Sequence, residues 1–312
     1  MLRTPPGGLS SRRAGECVRL PAVIAEALAG SFLDSHGCLV YIRSLFGFCL
    51  REGVVALKTG IEWTDATWNP VTGCTRVSAG CDNCYAATLA HRLLRNHYTS
   101  RLPLVPTPEN IADPFAVRIW PERLRQPLEE RRPRMIFVNS MSDLFHADVP
   151  EDFVRRVFEV MLEADWHTYQ VLTKRPGRAA RFFRRNADLF PDGIIPEHIW
   201  IGTSVENQQV AYRVAQLVAI PAEVRFLSCE PLLGPISLNL DGIHWVIVGG
   251  ESGPVRRPMD LDWARSIRDQ CLAAGVPFFF KQVGGRTPKA GGRLLDGRTW
   301  DEYPLQRQPM PA

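Results

Sequence analysis

Three cysteines fall inside eleven residues, Cys74, Cys81 and Cys84, in the spacing C-x6-C-x2-C. Pro70, Gly73 and Gly80 run through the same stretch and keep it from continuing as a helix or strand, so the thiols belong to one loop. The run from Tyr85 to Arg95 then has helical composition, with Leu89 and Leu93 four apart. Cys84 therefore stands at a helix start, where free amides and the helix dipole favour a thiolate.

Three close cysteines without a fourth suit a [4Fe-4S] cluster in which three irons take thiolates and one stays open for a ligand. Zinc is the rival, because structural zinc takes four nitrogen or sulfur ligands and His91, on the following helix, would complete a Cys3His set. Unliganded thiols are the bland reading, and the density of the loop speaks against it. The other cysteines carry less weight. Cys271 falls on an apolar helix stripe, Cys229 ends a strand and is the one placed to face a site, and Cys17, Cys38 and Cys49 precede the regular part of the chain.

Eight cysteines in a chain of 312 residues do not read as a disulfide framework, which belongs to short secreted domains. The start shows no basic segment leading into a clean apolar run. The apolar stretch from Cys38 to Leu50 carries Arg43 and is shorter than the roughly 20 residues a membrane span needs. A cytoplasmic protein with reduced thiols and no membrane partner is expected. The formal net charge of +4 is too mild to require a nucleic-acid partner, though it suits a phosphorylated ligand.

Residues 1 to 58 read as an N-terminal extension, disordered or loosely helical, or as sequence ahead of a true start near Val54, Val55 or Leu57. From residue 59 to 312 the chain reads as one domain with a glycine- and arginine-rich tail. Short β-branched runs alternate there with helical patterns, the signature of βα units on a parallel sheet. Strands are expected at Met135 to Asn139, Thr168 to Thr173, Ile199 to Thr203, Val224 to Ser228, Trp245 to Val248 and Val276 to Phe280, with an earlier one near Thr67 to Val71. Pro150 to Ala164 reads as a helix capped by Asp148, with Phe153, Val157 and Met161 on one face. A second helix starts at Asp260 or Asp262, aligns Trp263, Ile267 and Cys271, and stops at Gly275. The link from Pro231 to Ile243 has no helical period, which argues against eight full units. The fold class expected is α/β, a partial, TIM-barrel-like (βα) barrel of six or seven units.

Several strands end in polar residues, and in parallel βα folds those carboxyl ends carry the active site. An open doubly wound sheet would show the same pattern. Gly249 and Gly250, followed by Glu251 and Ser252, allow close approach of a ligand, although a tight turn needs glycine on steric grounds alone. Asp143 and His146 after a strand are candidates for acid–base work or for a turn. Lys174, Arg175, Lys281, Arg286, Lys289, Arg293 and Arg298 read as an anion-binding patch or as solvated loop charge. Trp63, Trp68, Trp200 and Trp245 are assigned to core packing.

The run from Gly60 to Cys74 (GIEWTDATWNPVTGC), the Cys81-Asp82-Asn83-Cys84-Tyr85 step, Gly249 to Pro254 (GGESGP), Lys281-Gln282 and Leu295 to Trp300 (LDGRTW) resemble a phage-associated three-cysteine family of unassigned function. That family in turn is similar to the radical S-adenosylmethionine (SAM) enzymes, which place a three-cysteine cluster loop after the first strand of a partial barrel. Their usual spacing is C-x3-C-x2-C with an aromatic residue before the last cysteine; here six residues intervene first, Asn83 precedes Cys84, and Tyr85 follows it.

The resemblance implies cluster ligation by Cys74, Cys81 and Cys84, with SAM on the open iron. It implies reductive cleavage to a 5′-deoxyadenosyl radical that abstracts a substrate hydrogen. Glu251, after Gly249 and Gly250, is the implied partner of the SAM amine, although the comparable element in those enzymes follows an earlier strand. Ser204 and Glu206 are implied at the ribose. Electrons would come from a donor such as a flavodoxin or ferredoxin; the substrate is left open, with a nucleotide or nucleic acid as the candidate. Two other classes stand beside this one: a zinc-binding, phage-related interaction protein without redox activity, and a barrel hydrolase using Asp143, Glu206, Glu230 or Glu251.

Overall fold

The computed structural model describes residues 59–304 apart from Pro288; the expectations for residues 1 to 58, including Cys17, Cys38 and Cys49, lie outside the described residues. The β-rich runs form β1 (Ala66–Trp68), the short β2 (Val71–Thr72) and β3 (Arg118–Ile119), and then β4 (Met135–Val138), β5 (Thr168–Thr173), β6 (Ile199–Ser204), β7 (Arg225–Cys229), β8 (Trp245–Gly249) and β9 (Phe278–Gln282). Seven of these make one sheet in the order β1-β4-β5-β6-β7-β8-β9, with every pairing parallel. β2 and β3 pair separately and antiparallel. The single strand expected near Thr67 to Val71 is thus split, because Asn69-Pro70 turns the chain out of the main sheet.

The connection from β1 to β4 holds the cysteine loop and four short helices, α1 (Tyr85–Arg92), α2 (Arg95–Thr99), α3 (Pro108–Ala112) and α4 (Gln126–Glu129). Later connections carry α5 (Glu151–Glu163), α6 (Pro176–Arg185), α7 (Arg213–Val218) and α8 (Leu261–Ala274). None of the described helices is long and apolar enough to cross a membrane. On α5, Phe153, Val157 and Met161 are fully buried, as their spacing requires. Its N-cap is Pro150 rather than Asp148, whose amide instead donates to His146 Nδ1 at 3.1 Å. α8 starts as read: Asp260 caps it by accepting from the amide of Asp262, and Gly275 ends it in the left-handed region at φ 66°.

The sheet is curled into a half-barrel. Strand residues alternate between two cores, as period-two geometry demands. Tyr169, Val171, Ile199, Ile201, Leu227, Val246 and Phe278 face outward to the helices. Met135, Phe137, Trp200, Phe226, Trp245, Ile247 and Phe279 converge inside with Trp63. Trp63 packs against both Phe137 and Trp245, at centroid distances of 4.7 and 6.3 Å, and so bridges β4 and β8 on the concave side. Each such fully buried large side chain contributes on the order of 1.5–3 kcal/mol. This aromatic layer fills the lower barrel and makes it a packed floor. The link after β7 indeed forms no helix; its Leu232, Ile236, Leu240 and Ile243 plug the outer core in place of a helix face.

Candidate site at the barrel mouth

Because inward-facing positions alternate, the residues above the aromatic floor follow from register. They are Lys174 beyond β5, Ser204 and Glu206 on β6 and after it, Ser228 and Glu230 on β7 and after it, Gly249 and Glu251 on β8 and after it, and Lys281 on β9. Polar side chains thus form a second layer at the carboxyl ends of the strands, and the cysteine loop closes over it.

Ser78, Arg175, Asn83 and Arg257 fix the loop there. Ser78 donates to Glu206 Oε1 at 3.0 Å, and the loop approaches so closely that a Cβ on Gly80 would lie 2.5 Å from the Glu206 side chain. Arg175 donates to Thr75 O at 3.0 Å and reaches Cys74 Sγ at 3.5 Å. Asn83 donates to Glu251 Oε2 at 2.9 Å. Arg257 donates to Ala79 O at 2.9 Å and pairs with Asp82 at 3.1 Å, while its backbone N, Nε and Nη2 hold Glu251. Tyr85, just after the third cysteine, turns its hydroxyl inward to Ser140 O.

The three thiols are free and half-buried. Burial raises the Cys74 thiol to about 11, with Asp143 adding to the effect and Arg175 opposing it. Cys84 is also raised by burial, while the nearby amides of Ala87 and Ala86 at the start of α1 pull the other way. Cys81 acts electrostatically on both. Among the described residues, no group of three or more His, Cys, Asp or Glu side chains is set to hold a metal ion. A zinc ion at Zn–S distances of about 2.3 Å needs its sulfurs roughly 3.8 Å apart. A cluster carries its three thiolates on three different irons and so holds their sulfurs further apart than a single zinc does. His91 faces away from zinc duty, with Nε2 at 3.4 Å from Asp113 Oδ1 and Nδ1 against Arg95. The donor set, three thiols with helix amides and one guanidinium beside them, fits a three-thiolate cluster.

The remaining expected residues are placed as follows. Glu206 is fully buried and held by Lys174, by Arg213 at 3.0 Å and by Ser78. Burial pushes its carboxyl up, but Lys174 and Arg213 pull it further down, and the net is below the ordinary value. Ser204 is buried, and its carbonyl accepts from Arg213 at 2.9 Å. Glu251 has the same balance: burial opposes, Arg257 and Asn83 prevail, and its carboxyl ends below the ordinary value. A Cβ on Gly250 would lie 1.9 Å from Val283 O, and one on Gly249 would lie 2.8 Å from Glu230 Oε1. Steric need therefore accounts for Gly250.

Asp143 braces a turn, accepting from the amides of Phe145 and Lys174 at 3.0 Å and from Arg175 at 2.9 Å. His146 joins the loop through Thr75 Oγ1 at 2.7 Å. Each carboxylate proposed for a hydrolase is engaged by a cation: Asp143 by Arg175, Glu206 by Lys174, Glu230 by Lys281 and Glu251 by Arg257. The expected anion patch is largely spent internally, since Arg293 pairs with Asp301 and Arg298 lies 3.5 Å over the Trp300 ring. Cys229 is fully buried in the outer core and does not face the mouth. Arg257 and the clamping role of Asn83 are not visible in the sequence, because their partners lie 175 and 168 residues away.

The chain belongs to the family described as "protein of unknown function (DUF5131)", which it matches over residues 58–304. No curated protein matches it. Among solved structures, it is similar to a spore photoproduct lyase complexed with dinucleoside spore photoproduct, at 10% identity and a TM-score of 0.41, over 71% of this chain and 64% of that one. It is also similar to a mutant of spore photoproduct lyase, at 11% identity and a TM-score of 0.38, over 79% and 66% of the two chains. It spans just under two thirds of the length of either.

Proposed function

We propose that this protein is a radical-SAM-like iron–sulfur enzyme acting on a nucleotide or nucleic-acid substrate. The observation that carries the reading is the position of the cysteine loop. It leaves the first strand of a parallel half-barrel, is clamped over the polar layer at the strand ends, and sets its last cysteine at the N-cap of α1. Cys74, Cys81 and Cys84 would hold the cluster. When bound there, the cluster would supply the electron that cleaves SAM into methionine and a 5′-deoxyadenosyl radical.

The chain's own residues prepare that site. Arg175 lays a positive charge beside Cys74, which favours its thiolate. Ser78, Asn83 and Arg257 fix the loop against β6 and β8, so the thiols are ordered before any group binds. The aromatic floor closes the barrel from below and limits the reacting volume to the mouth. Glu251 serves here as the anchor of Asn83 and Arg257, and contact with a SAM amine would use what capacity that leaves.

The test is turnover. Protein purified without oxygen is incubated with SAM and dithionite, and a flavodoxin or ferredoxin replaces dithionite in a second arm. Formation of 5′-deoxyadenosine that disappears in Cys74→Ala, Cys81→Ala and Cys84→Ala supports the reading. No 5′-deoxyadenosine from iron-loaded protein removes it.

A further inference from the structure

Only four of the 37 basic residues are lysines, Lys58, Lys174, Lys281 and Lys289, and two of the four stand on the inner wall of the mouth. Each faces a glutamate, but the two pairs differ in what is left over. Glu206 takes bonds from Lys174, Arg213 and Ser78 and lies under Gly80 of the cysteine loop, so that pair is enclosed. Lys281 Nζ stands 3.0 Å from Glu230 Oε1, and the only other side-chain partner of this pair among the described residues is Ser228 Oγ, 3.3 Å from Glu230 Oε2.

Two features of the backbone lie at this second pair. Glu230 follows β7 and Lys281 is on β9, with β8 between them; they meet because the intervening inward position is Gly249, where a Cβ would come 2.8 Å from Glu230 Oε1. The β8–β9 ladder also shifts register at this point: Val248 pairs with Phe280 and Gly249 with Gln282, which leaves Lys281 without a partner on β8. Lys281 faces inward by the same alternation that puts Phe279 in the inner core, and so stands over the glycine. Glu251, two residues on from Gly249, holds Asn83 of the cysteine loop, so the pair lies on the wall below that loop.

An ammonium offers three donors and a carboxylate about four acceptor sites, so most of this pair's capacity is unfilled within the chain. Its side chains keep 20% and 15% of their exposure, which leaves them open to the mouth. A phosphate or carboxylate would meet Lys281 but be repelled by Glu230, and a cation would meet the reverse. The complement is an uncharged planar edge with a donor beside an acceptor.

We infer that the Glu230–Lys281 pair, set over Gly249, is a substrate subsite that reads the hydrogen-bonding edge of a nucleobase. Lys281 donates to a ring nitrogen or carbonyl, and Glu230 accepts from an amino or imino N–H. The inference deepens the proposed function and rests on its substrate class.

The test uses the full-length chain purified without oxygen and neutral nucleosides, cytidine, adenosine, guanosine and uridine, titrated by calorimetry. Nucleosides methylated on the base edge and an acetylated asparagine amide are the controls. Iron content and the spectral response to SAM are recorded for every sample. Binding of at least one nucleoside, weakened tenfold or more by edge methylation, by Glu230→Gln and by Lys281→Met, is expected, since a hydrogen bond to a charged group amounts to about a factor of ten or more. Gly249→Ala guards against misfolding as the cause: it keeps both charges, displaces Glu230, and is expected to weaken binding likewise with an unchanged melting profile. Iron-loaded, SAM-responsive protein that binds no nucleoside, variants that bind like the parent, or an amide control that binds equally well would each overturn the inference. Nucleoside binding that depends on the pair in protein without iron would support it and remove the cluster reading beneath it.

Discussion

Asn83, between the second and third cysteines, donates its side-chain amide to Glu251 at 2.9 Å, joining parts of the chain 168 residues apart. Glu251 also takes the amide and guanidinium of Arg257, which itself reaches back to Ala79 and Asp82. One carboxylate thereby seals the cysteine loop to the end of β8.

Glu251→Ala removes that seal and leaves Asn83 and Arg257 without their shared acceptor. A loss of about 1–3 kcal/mol in unfolding free energy is expected from the unpaired groups. Mass spectrometry of iodoacetamide-treated protein is expected to show faster alkylation of Cys81 and Cys84. Unchanged alkylation would mean that the loop is held without Glu251.

Gly80→Ala places a methyl group 2.5 Å from the buried Glu206 side chain, which three partners hold in place. Overpacking of this kind costs about 1–3 kcal/mol. A lower melting temperature and weaker iron retention against a chelator are expected; a silent substitution would show that the loop does not lie on Glu206.

The thiols set a dependence on alkaline pH. The folded metal-free chain holds the Cys74 proton more tightly than the unfolded chain does, with about 11 against an ordinary 9.0. Where the folded state binds more protons, stability falls as pH rises, so the metal-free chain is expected to lose stability between pH 9 and about 11. Metal uptake must displace these protons, and loading is expected to strengthen from pH 6.5 toward roughly 8.5. Chemical denaturation across pH, and iron uptake at both values, check the two signs.

The carboxylates act in the opposite direction. Glu206 and Glu251 both lie below the ordinary value of 4.5 in the folded chain, so their pairs add stability above that value and lose it as pH falls below it. Acidification below about pH 4.5 is expected to loosen the cysteine loop ahead of the barrel. Hydrogen exchange is expected to rise first at residues 74–84 and only later in β5 and β6. Simultaneous loss would contradict the clamp.

Much of the fold was readable because its signals are local. Phe153, Val157 and Met161 mark α5 by period, and Asp260 and Gly275 punctuate α8. The missing helix before β8 shows as prolines and glycines between Pro231 and Ile243. Position in the mouth was readable too, since Glu206, Glu230, Gly249, Glu251 and Lys281 follow apolar strand runs. What local signals do not carry is pairing across the barrel. Glu251 reads as a ligand contact until Arg257 and Asn83 are seen on it, and Lys281 reads as loop charge until the bare Gly249 lets it reach Glu230 across β8. Asp148 misled for a related reason: an acidic residue before a helix signals a cap, but Pro150 already occupies that position.

The central claim is that Cys74, Cys81 and Cys84 cradle an iron–sulfur cluster with an open iron. Iron, sulfide and zinc per chain, measured on protein purified without oxygen, followed by the electron paramagnetic resonance spectrum of the reduced sample with and without SAM, test it most directly. About four irons and four sulfides per chain are expected, with a spectrum that changes on adding SAM and is lost when the three cysteines are replaced. One zinc per chain with no iron would contradict it.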